Sequence, residues 1–108
     1  MQAAPLGEFE VVVLMAVMHL SQDANGSAVL TAIEQKTGRR PSRGSVYVTL
    51  DRLEEKGLLT SRLVDAPTVR GGAKRLFRST TAGVRAVKHA VDTLERMRRG
   101  LEPLLGRE

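Results

Sequence analysis

The chain has no cysteine, no tryptophan and only three aromatic residues, one Tyr and two Phe. Without cysteine it can form no disulfide, no thiol nucleophile and no cysteine-based zinc site, a composition that suits a reducing cytoplasm. With so few aromatics the core must be built from Val, Leu and Ala. Such a core is thin for a single domain of 108 residues, so burial of further apolar surface in an oligomer is expected. Bases are missing from the first third, where none precedes Lys36. The apolar run Val11–Met18 therefore lacks the basic lead of a signal peptide. It also falls far short of the roughly 20 residues of a membrane span, so no membrane association is expected.

Catalytic and metal-binding chemistry is equally scarce. His19 and His89 stand apart, with no ligand spacing for a metal and no serine backed by an acid. Gly71–Gly72 lacks the G-x-x-x-x-G-K context of a phosphate-cradling loop. Met15 and Met18 suit a core better than a heme or copper site. No enzyme activity, metal or cofactor is expected.

What is present is positive charge, concentrated in one place. Met1–Gln35 carries four acids and no base, Lys36–Arg78 eleven bases and four acids, and Ser79–Glu108 six bases and four acids. The net charge of +7 in the middle segment suggests a polyanionic partner for it.

That segment contains Pro41–Leu59, PSRGSVYVTLDRLEEKGLL. Ser42 is a good N-cap after Pro41, and Gly57 a good C-terminal stop, so a helix is expected over 42–56. Val46, Leu50 and Leu53 form its inward stripe. Its outer face is small or basic near the N-terminus, with acids only from Asp51 onward. A helix that docks its N-terminal end on DNA has this pattern. An ordinary amphipathic core helix with a solvated face fits the stretch equally well.

The flanking chain supplies a frame. Glu8–Leu20 reads as a first helix, apolar nearly all round, whose second face is expected to meet another subunit. Ser21–Gly26 is a turn, and Ser27–Thr37 a second helix stopped by Gly38. Two helices joined tightly, the second being 42–56, make a helix-turn-helix. Thr60–Val64 and Lys74–Thr80 read as strands around DAPTVRGGA, a hairpin with Arg70, Lys74, Arg75 and Arg78 at its tip and exit. Thr81 to Gly100 reads as a last helix with Val84, Val87, Val91 and Leu94 as a coiled-coil seam resumed at Leu101 and Leu105. Gly100 and Pro103 should fray its end.

LGEFEVVVLMAVMHL, TGRRPSRGSVYVTLDRLEEKGLL, RGGAKRLFRSTTAG and the trailing helix together resemble the PadR family of transcriptional regulators, in order and over nearly the whole chain. The resemblance implies a mainly α (α+β) winged helix-turn-helix DNA-binding domain over 1–80. It further implies a C-terminal dimerisation helix over 81–108, of the compact subgroup, and a homodimeric repressor on a palindromic operator. Three departures stand out. Asn25 and Ser79 replace the usual aromatic and the usual Leu or Val, and Val48–Thr49 follows the tyrosine where many members have Pro and Ala.

Carried over by position, Tyr47 is expected at the DNA backbone or groove edge. Ser42 caps the recognition helix, and Ser45, Val48, Thr49 and Arg52 are candidates for base edges. Arg39, Arg40 and Arg43 suit phosphates, as do Arg70, Lys74 and Arg75 on the wing, which Gly71 lets turn close to the backbone. Phe9, Val13, Val17, Val84, Val87, Val91, Leu94 and Leu101 are the candidate dimer interface. A dimer of the first and last helices would leave room between subunits for a small-molecule effector of unknown identity. The competing reading is a winged-helix protein-interaction module with an acidic partner and no specific DNA target.

Overall fold

The computed structural model describes residues 6–106. Its elements are α1 (Glu8–Leu20), a 3-10 turn (Ser21–Asp23), α2 (Gly26–Thr37), α3 (Arg43–Glu55), β1 (Leu59–Asp65), β2 (Ala73–Ser79), α4 (Thr81–Arg98) and α5 (Glu102–Leu105).

Local chemistry sets most of these limits. The side chains of Asn25, Ser42 and Thr80 accept hydrogen bonds from the backbone N–H of Ala28, Ser45 and Gly83, so each caps the helix that follows. Asn25, a departure from the family pattern, is therefore the N-cap of α2. At the end of α3, Gly57 takes a φ of 77° and the Gly57 and Leu58 N–H groups donate to Glu54 and Leu53 carbonyls. That is a Schellman stop, and it turns Leu58 and Leu59 back toward the core.

The stripes close on one another as their spacing predicts. Val46, Leu50 and Leu53 of α3 pack with Val13, Leu14 and Val17 of α1, Val29 and Ile33 of α2, Leu59, Phe77 and Val87, all buried. The hairpin is antiparallel, with Leu59 opposite Ser79, so Ser79 still closes the ladder. The Phe77 N–H donates to the Ala24 carbonyl at 2.9 Å, which ties the chain before α2 to the free edge of β2. The whole is mainly helical with a two-stranded wing, a winged helix-turn-helix.

One expectation is corrected, and one finding is new. The end of α4 turns at Gly100 (φ 89°) into the short helix α5, with Pro103 in its first turn where its missing N–H costs nothing, rather than fraying. In α1 the buried side includes a carboxylate, Glu10, at 9 % exposure. Its oxygens accept from the Lys56 Nζ at 2.7 Å and the Gly7 N–H at 2.9 Å, which makes its burial tolerable.

Candidate nucleic-acid interface

The free face of α3 is built from its N-terminus outward. Ser42 caps the first turn, which contains no acid, and Arg43, Ser45, Tyr47, Val48 and Arg52 are exposed. Val48, a β-branched apolar side chain midway along the helix, is 54 % exposed. Tyr47 lies across the first residue of α2. A Cβ on Gly26 would collide with the tyrosine ring and hydroxyl, so glycine there is what lets the ring lie flat. The ring is 36 % exposed. Arg43 reaches Ser27 Oγ at 3.0 Å, leaving the rest of its guanidinium at the α2–α3 mouth beside the exposed Arg40.

Three of the expected DNA contacts are engaged elsewhere. Thr49 is 5 % exposed and its hydroxyl donates to the Ser45 carbonyl at 2.7 Å, so it faces the core rather than base edges. Arg75 donates to Asp51 Oδ1 at 2.8 Å, to Glu54 Oε1 at 2.5 Å and to Ser61 Oγ at 3.1 Å, and its guanidinium stacks on Phe77, 4.7 Å from the ring centroid. It clamps the wing to α3 and is not a free phosphate ligand. Burial opposes the ionisation of Glu54. Hydrogen bonds from Ser61 and Arg75 and the charge of Arg75 outweigh it, and hold the carboxyl below its usual range. Arg39 is shared: its guanidinium grips both Glu8 oxygens at 2.8 and 2.9 Å and lies over Phe9.

The clamp was missed in the sequence, although a signal was there. Phe77 is the apolar residue of β2 most suited to the core, and strand alternation puts Arg75 on its side. At the tip, Gly71 and Gly72 take φ of 90° and 76°, and Arg70 stands exposed beside them. The turn is closed by hydrogen bonds from Val69 N–H to Ala66 O and from Gly72 N–H to Val69 O, both 2.8 Å.

The expected dimer face divides. Val13, Val17 and Val87 are buried in the chain's own core, because α4 lays its first turns against α1. Phe9 is half-buried beneath Arg39. Val84, Val91, Leu94 and Leu101 are exposed, and Met97, Leu104 and Leu105 extend them into one apolar strip. Met97 continues the spacing from Leu94 and was legible on that ground. Among the described residues no group of His, Asp or Glu could hold a metal ion, and no helix is long and apolar enough to cross a membrane.

Comparison with known proteins agrees with this architecture. The model of the transcriptional regulator PadR-like family matches residues 13–89. A transcriptional regulator of Mycobacterium tuberculosis is 39 % identical over 83 residues, 75 % of this chain and 73 % of that one. Among solved structures, a PadR family transcription regulator of Clostridium difficile superposes with a TM-score of 0.75 at 17 % identity, covering 93 % of this chain and 100 % of that one. BpsR of Bordetella bronchiseptica, whose DNA binding is regulated by 6-hydroxynicotinic acid, does so at 0.69 and 21 %, covering 98 % of this chain and 72 % of that one. At these identities the two structures speak for the fold.

Proposed function

The chain belongs to the PadR-like family of transcriptional regulators, and from that premise we propose that it acts as a homodimeric repressor bound to a palindromic operator. The α3 helix enters the major groove with Ser45, Val48 and Arg52 at the bases and Tyr47 at the groove edge. Arg40 and Arg43 hold phosphates at its N-terminus, and Arg70 and Lys74 hold them at the wing. The exposed strip of α4 joins two protomers, setting the two α3 helices about 34 Å apart on successive major grooves. A small-molecule effector, of the kind that regulates DNA binding in the Bordetella relative, would act by changing that spacing.

One observation carries the reading: the first turn of α3 is acid-free, capped by Ser42 and flanked by the exposed Arg40 and Arg43. The test is binding to a duplex that the protein itself selects from a random-sequence pool. Arg40→Ala with Arg43→Ala should lower the log–log salt slope by about 0.9 for each phosphate that is no longer neutralised. Val48→Ser should instead change which bases are preferred. Equal affinity for selected and scrambled duplexes would refute the assignment.

A further inference from the structure

The outer face of the wing carries cations that the fold does not use. By alternation, Thr60, Arg62 and Val64 share that face with Arg78, Leu76 and Lys74. The inner face carries Leu59, Ser61, Arg75 and Phe77. Along the outer face Arg78, Arg62 and Lys74 alternate between the strands, each about 7 Å nearer the tip than the last. Asp65, the one acid of the hairpin, falls on the inner face.

Like charges at neighbouring cross-strand positions repel, so this row costs stability. Among the described cations Arg39, Lys56, Arg75, Lys88 and Arg98 form ion pairs and the rest, Arg62, Lys74 and Arg78 included, do not. Between Arg62 and Arg78 lies a hollow of about 80 Å³, lined also by Gln22, Thr60, Ser61, Leu76 and Phe77. The Ser61 hydroxyl is taken up on the inner face by Glu54 and Arg75, which leaves two arginines, an amide and the Thr60 hydroxyl as donors that a phosphate group takes.

We infer that the outer face of the wing holds backbone phosphates of duplex DNA flanking the recognised site. Arg62 and Arg78 grip a phosphate at the hollow, and Lys74 continues the row toward the tip. The inference rests on the DNA-binding reading and adds a second contact zone on the side of the hairpin away from α3. A row, rather than a lone recess, favours a polymer over a free anion, and the polyanion that α3 takes in the proposed function is duplex DNA. Bending the flank onto it has an elastic cost, which the added phosphate contacts offset.

The experiment uses the full chain and the duplex it selects from a random pool, in two lengths: the selected core, and the core with about ten further base pairs on each side (one helical turn). The wild type should bind the longer duplex more tightly and with a steeper salt dependence. Arg62→Gln with Arg78→Gln should remove most of that difference, lowering the slope by about 0.9 per protomer on the long duplex only. Its urea midpoint should not fall, since a repulsion is relieved. Equal reductions on both lengths, or none on either, would overturn the inference while leaving the operator-binding reading intact. So would a melting-temperature rise in inorganic phosphate over chloride that the double variant abolishes without any dependence on duplex length, which would mark a free-anion recess. Failure of the wild type to prefer its selected duplex over a scrambled one would remove both readings.

Discussion

Arg75 illustrates how a single side chain can serve recognition without touching the ligand. It sits between Asp51 and Glu54, two carboxylates at the rear of the recognition helix, and holds the wing against them. Because the cluster is partly exposed, its contribution to stability is modest, about 1 kcal/mol. Its effect on binding should be larger. Arg75→Met would leave two uncompensated carboxylates beside the phosphates and free the wing to swing, lowering DNA affinity by about tenfold, equivalent to 1.4 kcal/mol. The distinguishing measurement is a cycle: adding Asp51→Asn and Glu54→Gln to Arg75→Met should recover most of that affinity. A direct phosphate ligand would show no such recovery. Thr49 makes the complementary point, since its place on the helical wheel allows an outward aim but its hydroxyl finds the Ser45 carbonyl one turn back.

At the scale of elements, the position of α3 depends on a strap from α1. Glu10 accepts from Lys56, the C-cap of α3, so the first helix holds the far end of the recognition helix. Burial alone would raise the Glu10 pKa. The hydrogen bonds of Lys56 and the Gly7 N–H, with the charges of Lys56 and Arg52, more than reverse it and leave the carboxyl below its usual range. A depressed native pKa binds fewer protons than the unfolded chain, so the strap's stability is present above the ordinary carboxylate range. It is lost as pH falls through that range toward the native value. Glu10→Gln should cost about 1–2 kcal/mol at neutral pH in urea titrations. The deficit should shrink as pH drops through the ordinary carboxylate range toward the depressed native value, below which the wild type is also protonated. A deficit independent of pH would show that packing, not charge, holds the two helices. The elements themselves were legible almost throughout, because caps, stops and stripes are chemistry within a few residues. The strap was not: its partners lie 46 positions apart, and nothing local announces a buried glutamate in an apolar helix.

For the whole molecule, the decisive feature is the apolar strip on α4 and α5. Leu94 is 68 % exposed and Met97 follows it on α4, which leaves the core after Val87, while Leu101, Leu104 and Leu105 are exposed beyond the turn at Gly100. In the proposed function a second copy of the chain covers this strip. Leu94→Glu with Met97→Glu should give a monomer in sedimentation velocity and a urea midpoint that no longer rises with protein concentration. Its affinity for a two-half-site duplex should drop on the order of a hundredfold, as bivalent binding becomes monovalent. A wild type that sediments as a monomer at every concentration would remove the dimeric reading. Of the four seam residues read from the sequence, Val87 turns inward onto α1 while Val84, Val91 and Leu94 stay outside.

Local chemistry alone determined the helix-turn-helix, its caps and the hairpin, because each depends on residue preferences and periodicity within a turn or two. Which cations remain available was decided only by the folded chain. Arg75 and Arg78 are three apart on one strand, yet alternation and the packing of Phe77 send the first to two acids on α3 and the second to open solvent. Charge is a property of a residue, but whether it is neutralised within the molecule or left for a partner depends on what the rest of the chain brings within a few ångströms.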